Sequence, residues 1–342
     1  MDEEKWILSA RGKLFQLSKI VISLGLITFL IIKISPQRII PQLKELNPSM
    51  LIFAFLIFFF SNILGSMQWH FLLHSSGIRL RYTKTFRLYF IGLFFNNFLP
   101  ANVGGDAVKI YDVTKIGNDP YRVFAVTLLD RVIGITALSV IALGSSFYVL
   151  FHGGMLNLGT YMLVFSIFIV PLVLLSSSKK VSKLVRKLFS LITIWGIGNR
   201  FDQIFDHLGE YKRLRSLLLK LSLLSLAVQA LRITTHIFVA KSLNISIQPA
   251  SYIYFFIFIP LLGLIMILPI SINGLGVREG TGILLFSQIG FSNEQSLLME
   301  FITYFVMVVV SLLGAGFFLT RNIGKGSKRV VEDTGEAEEC EG

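Results

Sequence analysis

The chain has little charge and almost no sulfur chemistry. Only 15% of its 342 residues are charged, where a soluble domain carries about 25%, and that shortage excludes an ordinary water-soluble globule. The one cysteine, Cys340, is the third residue from the end of the sequence. No intrachain disulfide can form, and no cysteine metal centre is expected. No G-x-S-x-G, H-E-x-x-H or G-x-x-x-x-G-K-[ST] pattern occurs, so neither a nucleophile–base pair nor a built-in ATPase is expected. We read the chain as a non-enzyme without cofactor or metal, working by gradient-driven or passive movement. Acidic residues are also scarce, 20 against 32 basic ones, which leaves a formal charge of +12. The basic residues stand between apolar segments, as the positive-inside rule requires of a membrane protein, so no nucleic-acid partner is expected.

What is abundant is apolar. Hydrophobic residues make up 54% of the chain and phenylalanine alone occurs 31 times; mean hydropathy is +0.71. Apolar stretches at 18–34, 49–73, 122–150, 156–175, 216–240 and 297–320 each approach the ~20 residues that cross a bilayer. The first follows a basic start (Lys5, Arg11, Lys13, Lys19) and lacks a small-residue cleavage site, so it reads as a retained span. Residues 86–116 and 250–290 run apolar, break at a proline and resume after a glycine-rich charged turn. The expectation is an all-α polytopic membrane protein with about six spans plus two re-entrant helical hairpins. With the N-terminus in the cytoplasm, the basic segments 74–86, 112–121, 176–215 and 321–329 fall inside, while 151–155 and 288–296 fall outside. The loop 35–48 fits least well, and eight full crossings would still leave both termini inside. Residues 1–17 are then a cytoplasmic N-terminus, 18–320 one transmembrane domain of a cell-membrane protein, and 321–342 a disordered acidic cytoplasmic tail.

One phrase occurs twice. LPANVGGDAVKIY at 99–111 aligns without a gap on LPISINGLGVREG at 268–280, an offset of 169. Leu99, Pro100, Gly105 and Val108 match Leu268, Pro269, Gly274 and Val277; Lys109 faces Arg278. The pseudo-repeats are 49–150 and 218–319. Three spans separate equivalent points, an odd number, so the second copy is expected inverted. Paired Gly/Pro-interrupted segments in two inverted halves are the sequence pointer to a transport site.

Pro100 ends or kinks a helix, Gly104 and Gly105 allow a tight exposed backbone, and Asp106 and Lys109 follow at the start of the next helix. Free N–H groups there, at the positive end of the helix dipole, favour an anion such as phosphate. Asn96, Asn97 and Asn102 add polar groups. The other reading is a structural kink satisfied by neighbouring helices. In the second copy, Arg278 and Glu279 occupy a helix start in an apolar region, where a charge needs a partner or a cavity. Gly276 and Gly280 form a GxxxG, which serves close helix packing equally well. Asp130, Arg131, Arg232, His236, His70 and Glu300 stand inside apolar spans, and Glu300 corresponds to Arg131 at the same offset. Arg131 with Asp106 and Glu300 with Arg278 are the expected pairs, either for transport or as structural ties. His70 and His236 have no carboxylate nearby in sequence and suggest no metal site. Between the halves, 176–215 reads as a basic amphipathic linker resting on anionic lipid.

The two phrases, NNFLPANVGGDAVKIY and LPISINGLGVREG, resemble the signature stretches of the lysylphosphatidylglycerol synthase transmembrane (flippase-like domain) family, over about 15 to 320. In the larger synthases this region flips an aminoacylated phospholipid that a separate soluble domain makes. The 342 residues leave no room for that domain, so the synthase activity is not carried over. The resemblance implies a lipid translocase moving a phospholipid or lipid-linked precursor. Asn97, Pro100, Gly104, Gly105, Asp106 and Lys109 would line one half of the path. Pro269, Gly274, Gly276, Arg278 and Glu279 would line the other, with Arg131 and Glu300 as charge partners. Lys109 stands where many members carry Arg, which keeps the charge and loses the bidentate fork. The expected partners are membrane lipids with anionic or phosphate-bearing head groups, and a membrane-bound synthase or glycosyltransferase. Two alternatives stay open: an ion-coupled secondary transporter of a small solute, and a non-catalytic scaffold for such a synthase.

Overall fold

The computed structural model describes residues 43–98, 104–152, 214–266 and 276–320, together with Pro41, Ile204, His207, Tyr211 and Gly274. The expected first span at 18–34, the span at 156–175, nearly all of the 176–215 linker and the acidic tail lie outside the described residues. Within them the chain is all-α. Eight helices follow in order: α1 (Pro48–Ser75), α2 (Tyr82–Phe98), α3 (Gly104–Thr114), α4 (Pro120–Phe151), α5 (Arg215–Ser242), α6 (Tyr252–Ile265), α7 (Val277–Phe286) and α8 (Asn293–Leu319).

Four of these, α1, α4, α5 and α8, are long and apolar enough to cross a membrane. Their starts are set by local chemistry. Asn47 accepts from the amides of Ser49 and Met50 at 3.1 and 3.3 Å, just ahead of Pro48. Asp119 does the same for Tyr121 and Arg122 ahead of Pro120, both at 3.2 Å. At α8, Ser292 and Gln295 cap each other reciprocally, at 3.1 and 2.9 Å. Side-chain caps satisfy amides that have no partner within the helix, and proline costs nothing at a first helical position.

The other four helices are short. α3 has 11 residues, α6 has 14 and α7 has 10, so at 1.5 Å per residue they reach only about 15–21 Å. None covers the ~30 Å hydrocarbon core alone. α2, with 17 residues, reaches about 25 Å. These are the segments where the sequence broke at Pro100 and Pro269, both outside the described residues.

An offset of 169 maps α1 onto α5, α2 onto α6, α3 onto α7 and α4 onto α8, within a few residues at each end. The packing follows the same exchange. α1 lies along α5; α2 packs on α8, and its counterpart α6 packs on α4, the counterpart of α8. The equivalent helices α1 and α5 run antiparallel. At one end the Asn47 amide donates to the Ser242 carbonyl at 2.7 Å. At the other the Tyr211 hydroxyl, just ahead of α5, donates to the Leu72 carbonyl at 2.8 Å. α2 and α8 are likewise antiparallel: Phe86 meets Phe317, the Phe90 carbonyl meets Gly314, and Asn97 donates to Ser311 at 2.6 Å.

Glycine decides two of these approaches. A Cβ on Gly314 would fall on the Phe90 carbonyl, and one on Gly105 would fall on the Gly92 carbonyl, so α2 is clasped between α8 and α3 at backbone distance. Buried Phe58, Phe90, Phe255, Phe258 and Phe286 fill the larger core, and Trp69, Leu72, Ile91, Val123 and Leu221 the second. Phe53, Leu56, Phe60, Leu223 and Phe305 are half-exposed or more and form apolar outer faces, which suit lipid tails.

Candidate functional site

Between the two sets of helices lies a cavity of about 400 Å³. Every one of the eight helices contributes to its wall. Its charged lining is Asp106, Lys109, Asp130 and Arg131 from α3 and α4, and Arg232, Arg278 and Glu300 from α5, α7 and α8, with His236 beside them. Four cations thus face three carboxylates.

The first charge cluster is built around Asp106. Its Oδ1 meets the Lys109 ammonium at 2.7 Å, one helical turn on. The Arg131 guanidinium, reaching across from α4, holds the other oxygen. The Lys109 ammonium also lies over the rings of Trp69 and Tyr89, at 5.0 and 5.2 Å, an aromatic cradle that holds the cation through the ring quadrupoles. Lys109 and Asp106 are buried, whereas the Arg131 side chain keeps 34% of its surface exposed.

The second cluster inverts the first. Arg278 sits between two carboxylates: Nη2 donates to Glu279 at 2.9 Å, and Nε lies 3.2 Å from Glu300. Nη2 also donates to the Glu300 backbone carbonyl at 3.0 Å, and Tyr304 lies under the guanidinium at 4.9 Å. Glu279 and Glu300 are both 0% exposed. One half therefore holds one acid between two bases, the other one base between two acids. The pairings expected from sequence, Arg131 with Asp106 and Glu300 with Arg278, both form. Asp130 turns away from its neighbour Arg131 and accepts from Gln68 at 2.8 Å.

Of the residues expected along the path, Asn97, Asp106, Lys109, Arg131, Arg278 and Glu300 line the cavity. Asn97 spends its amide on Ser311 and ties α2 to α8. Gly104 opens α3, and Gly105 is spent on the approach to Gly92. Gly274 and Gly276 take φ of +74° and +82°, a left-handed backbone that a Cβ would strain; they make the turn into α7 and do not line the cavity. Glu279 stands behind Arg278. Pro100 and Pro269 lie outside the described residues.

Three expectations change. The helix starts were expected to offer free amides to an anion. Instead the Gly105 N–H donates to Asn96 Oδ1 at 2.9 Å, and the Gly276 N–H donates to Glu279 Oε2 at 2.6 Å. In each half one amide at the helix start is taken by a side chain of that same half. His236 was read as lacking a carboxylate, yet its Nε2 lies 3.9 Å from Glu300, while Nδ1 donates to the Arg232 carbonyl at 3.1 Å. The carboxylate comes from α8, 64 residues on, which sequence proximity does not reveal. Finally, a Cβ at Gly280 would meet nothing within 4 Å among the described residues, so the second glycine of the GxxxG packs against none of the eight described helices. Sequence reasoning passed over Gln68, Tyr89 and Gln229, all of which line the cavity; glutamine within an apolar span was the signal available.

Comparison with known proteins fits this arrangement. The family model for the lysylphosphatidylglycerol synthase TM region matches residues 16–314, which includes every described helix apart from the last residues of α8. The chain belongs to that family. It is also similar to a UPF0104 membrane protein of the archaeon Methanocaldococcus jannaschii, 28% identical over 116 residues. That match spans about a third of each protein, 33% of this chain and 34% of the relative. As a member of the lysylphosphatidylglycerol synthase TM region family, this chain is an all-α membrane protein whose charged residues converge on one cavity.

Proposed function

We propose that this chain moves a phosphate-bearing lipid, a phospholipid or a lipid-linked precursor, between the leaflets of a cell membrane and makes no covalent bond in doing so. The observation that carries the reading is a cavity lined by ionisable side chains from both halves of the fold. Charged groups inside a membrane protein mark substrate or ion pathways, and a site at the interface of two inverted repeats is the plan of secondary transporters. In this reading 49–150 and 218–319 are the inverted halves, and α2–α3 and α6–α7 are re-entrant hairpins that bring polar backbone to mid-membrane. A volume of about 400 Å³ lies at the small end of the range for ligand sites. It suits a head group, with the acyl or prenyl tails left in the bilayer. Arg131, a lining cation that keeps 34% of its side-chain surface exposed, favours an anionic head group.

The test is the purified chain reconstituted in liposomes that carry a fluorescent phosphatidylglycerol or polyprenyl phosphate in both leaflets. Dithionite bleaches the outer-leaflet dye alone. Wild-type protein should raise the bleached fraction above the half that protein-free vesicles give; a folded protein that leaves it at half defeats the proposal.

The His236–Glu300 contact favours one further reading, an ion-coupled carrier of a small solute, with that buried pair as the coupling site. A pH gradient across the same vesicles separates the two. Solute uptake that follows the gradient without lipid movement supports the carrier.

A further inference from the structure

The cavity's cations are not equivalent. Lys109 and Arg131 are both held by Asp106, and Arg278 is held by Glu279 and Glu300. The amides of Gly105 and Gly276 are closed by Asn96 and Glu279. Arg232 is different. Among the described residues no carboxylate lies within salt-bridge distance of it. Among the described residues its one side-chain hydrogen bond is a long one, from Nη2 to the Tyr89 hydroxyl at 3.5 Å, and its buried Nε has no partner there. The repeat gives it no counterpart, since Ile63 stands at the equivalent position of α1. An arginine at the centre of a membrane helix costs about 2.5–3.5 kcal/mol even on the mildest scales, so it is kept where it pairs or faces a cavity. This one faces the cavity, and the carboxylate that acts on it, Asp130, makes no contact with it.

The geometry points to Arg232 as the residue that takes the phosphate group of the cargo, an inference that rests on the transport reading above for the identity of that cargo. The guanidinium is the side chain whose planar fork matches two phosphate oxygens at once. The Tyr89 hydroxyl in the same cavity supplies a further donor, and Gln229 also lines it, with its Nε2 already donating to the Gly134 carbonyl at 3.2 Å. Asp130 shares the cavity with Arg232 and is held by Gln68; a phosphate on Arg232 would meet this carboxylate's repulsion unless it sits on the side away from α4. The inference therefore places the anion between α5 and α2, beside Tyr89, and assigns the paired cations Lys109 and Arg278 to holding the helices of their own half together.

Binding is measured on the full detergent-purified chain by titration calorimetry. The probes are dihexanoyl-phosphatidylglycerol and, separately, inorganic phosphate. Arg232→Gln should weaken whichever probe the wild type binds by about 10- to 100-fold, the range for losing a charge-assisted hydrogen bond. Arg232→Lys keeps the charge, loses the fork and should fall between. It also stands in if the glutamine variant fails to fold, as judged by its size-exclusion profile and helical circular dichroism. Binding of the lipid probe alone assigns the site to a head group; equal binding of inorganic phosphate assigns it to free phosphate, and either result supports Arg232 as the phosphate ligand. Variants that bind as tightly as wild type overturn the inference, as does a wild type that binds neither probe. Arg232-dependent binding without movement of fluorescent lipid in vesicles defeats the transport proposal and leaves the site standing. Lipid movement unaffected by Arg232→Gln does the reverse.

Discussion

Replacing Arg278 by methionine is the sharpest perturbation of the second charge cluster. The substitution keeps much of the side-chain bulk and removes the one cation that faces Glu279 and Glu300, both fully buried. Removing one partner of a buried ion pair costs about 3–5 kcal/mol, because the other charge stays in a low-dielectric site. Glu279 retains the Gly276 amide at 2.6 Å; Glu300 has only His236, at 3.9 Å. The orphaned Glu300 therefore carries most of the penalty. Unfolding of the purified chain in mixed micelles, followed by tryptophan fluorescence, should show Arg278→Met destabilised within that range, a factor of about 10² to 4 × 10³ in the folding equilibrium. Arg278→Met combined with Glu300→Met removes both charges and should recover more than half of the loss. A single substitution costing under about 1 kcal/mol, or a double variant no better than the single, would refute the claim that these charges are buried and mutually dependent.

Other outcomes follow from the same geometry. Gly105→Ala and Gly314→Ala drive a methyl group into a backbone carbonyl and should each cost about 1–3 kcal/mol in the same unfolding assay, whereas Gly280→Ala, with open space around it, should stay within about 0.5 kcal/mol. Asn47→Ala removes the cap of α1 and should cost about 0.5–2 kcal/mol. In a Cys340→Ser background, single cysteines at Lys115 and Gln288, in equivalent connections of the two halves, should react with an impermeant maleimide from opposite sides of the membrane; labelling from one side removes the inverted arrangement. Asp106→Asn leaves Lys109 and Arg131 facing each other without their shared carboxylate and should abolish lipid movement in vesicles; unchanged transport would make the first cluster dispensable.

The broad architecture could be read from the chain because membrane spans are written in run length and hydropathy, and because every charge in such a run demands an explanation. Asp106, Arg131, Arg278 and Glu300 were recognised as partners for that reason: each is costly alone, and each had a complement of opposite sign in its own half. The offset of 169 likewise placed the break points before any helix was seen. What stayed hidden depended on how segments fold back on one another. The closure of the Gly105 amide by Asn96 needs the turn between α2 and α3, and the closure of the Gly276 amide by Glu279 needs the left-handed backbone at Gly276 itself. The contact between His236 and Glu300 depends on α5 meeting α8. Arg232 could be seen in the sequence as an arginine in an apolar run. That no carboxylate among the described residues touches it is a fact about its neighbours, and a linear pattern carries no information on that.

The account's central claim is that a lipid head group enters the cavity between the two halves. A phosphatidylglycerol carrying a photoactivatable group on its head, irradiated with the reconstituted chain and mapped by mass spectrometry, tests this most directly. Adducts on cavity-lining residues such as Gln68, Asn96, Gln229 and Met266, reduced by Arg232→Gln, are the predicted result. Adducts confined to outer-face residues such as Phe53 and Leu223 would contradict it.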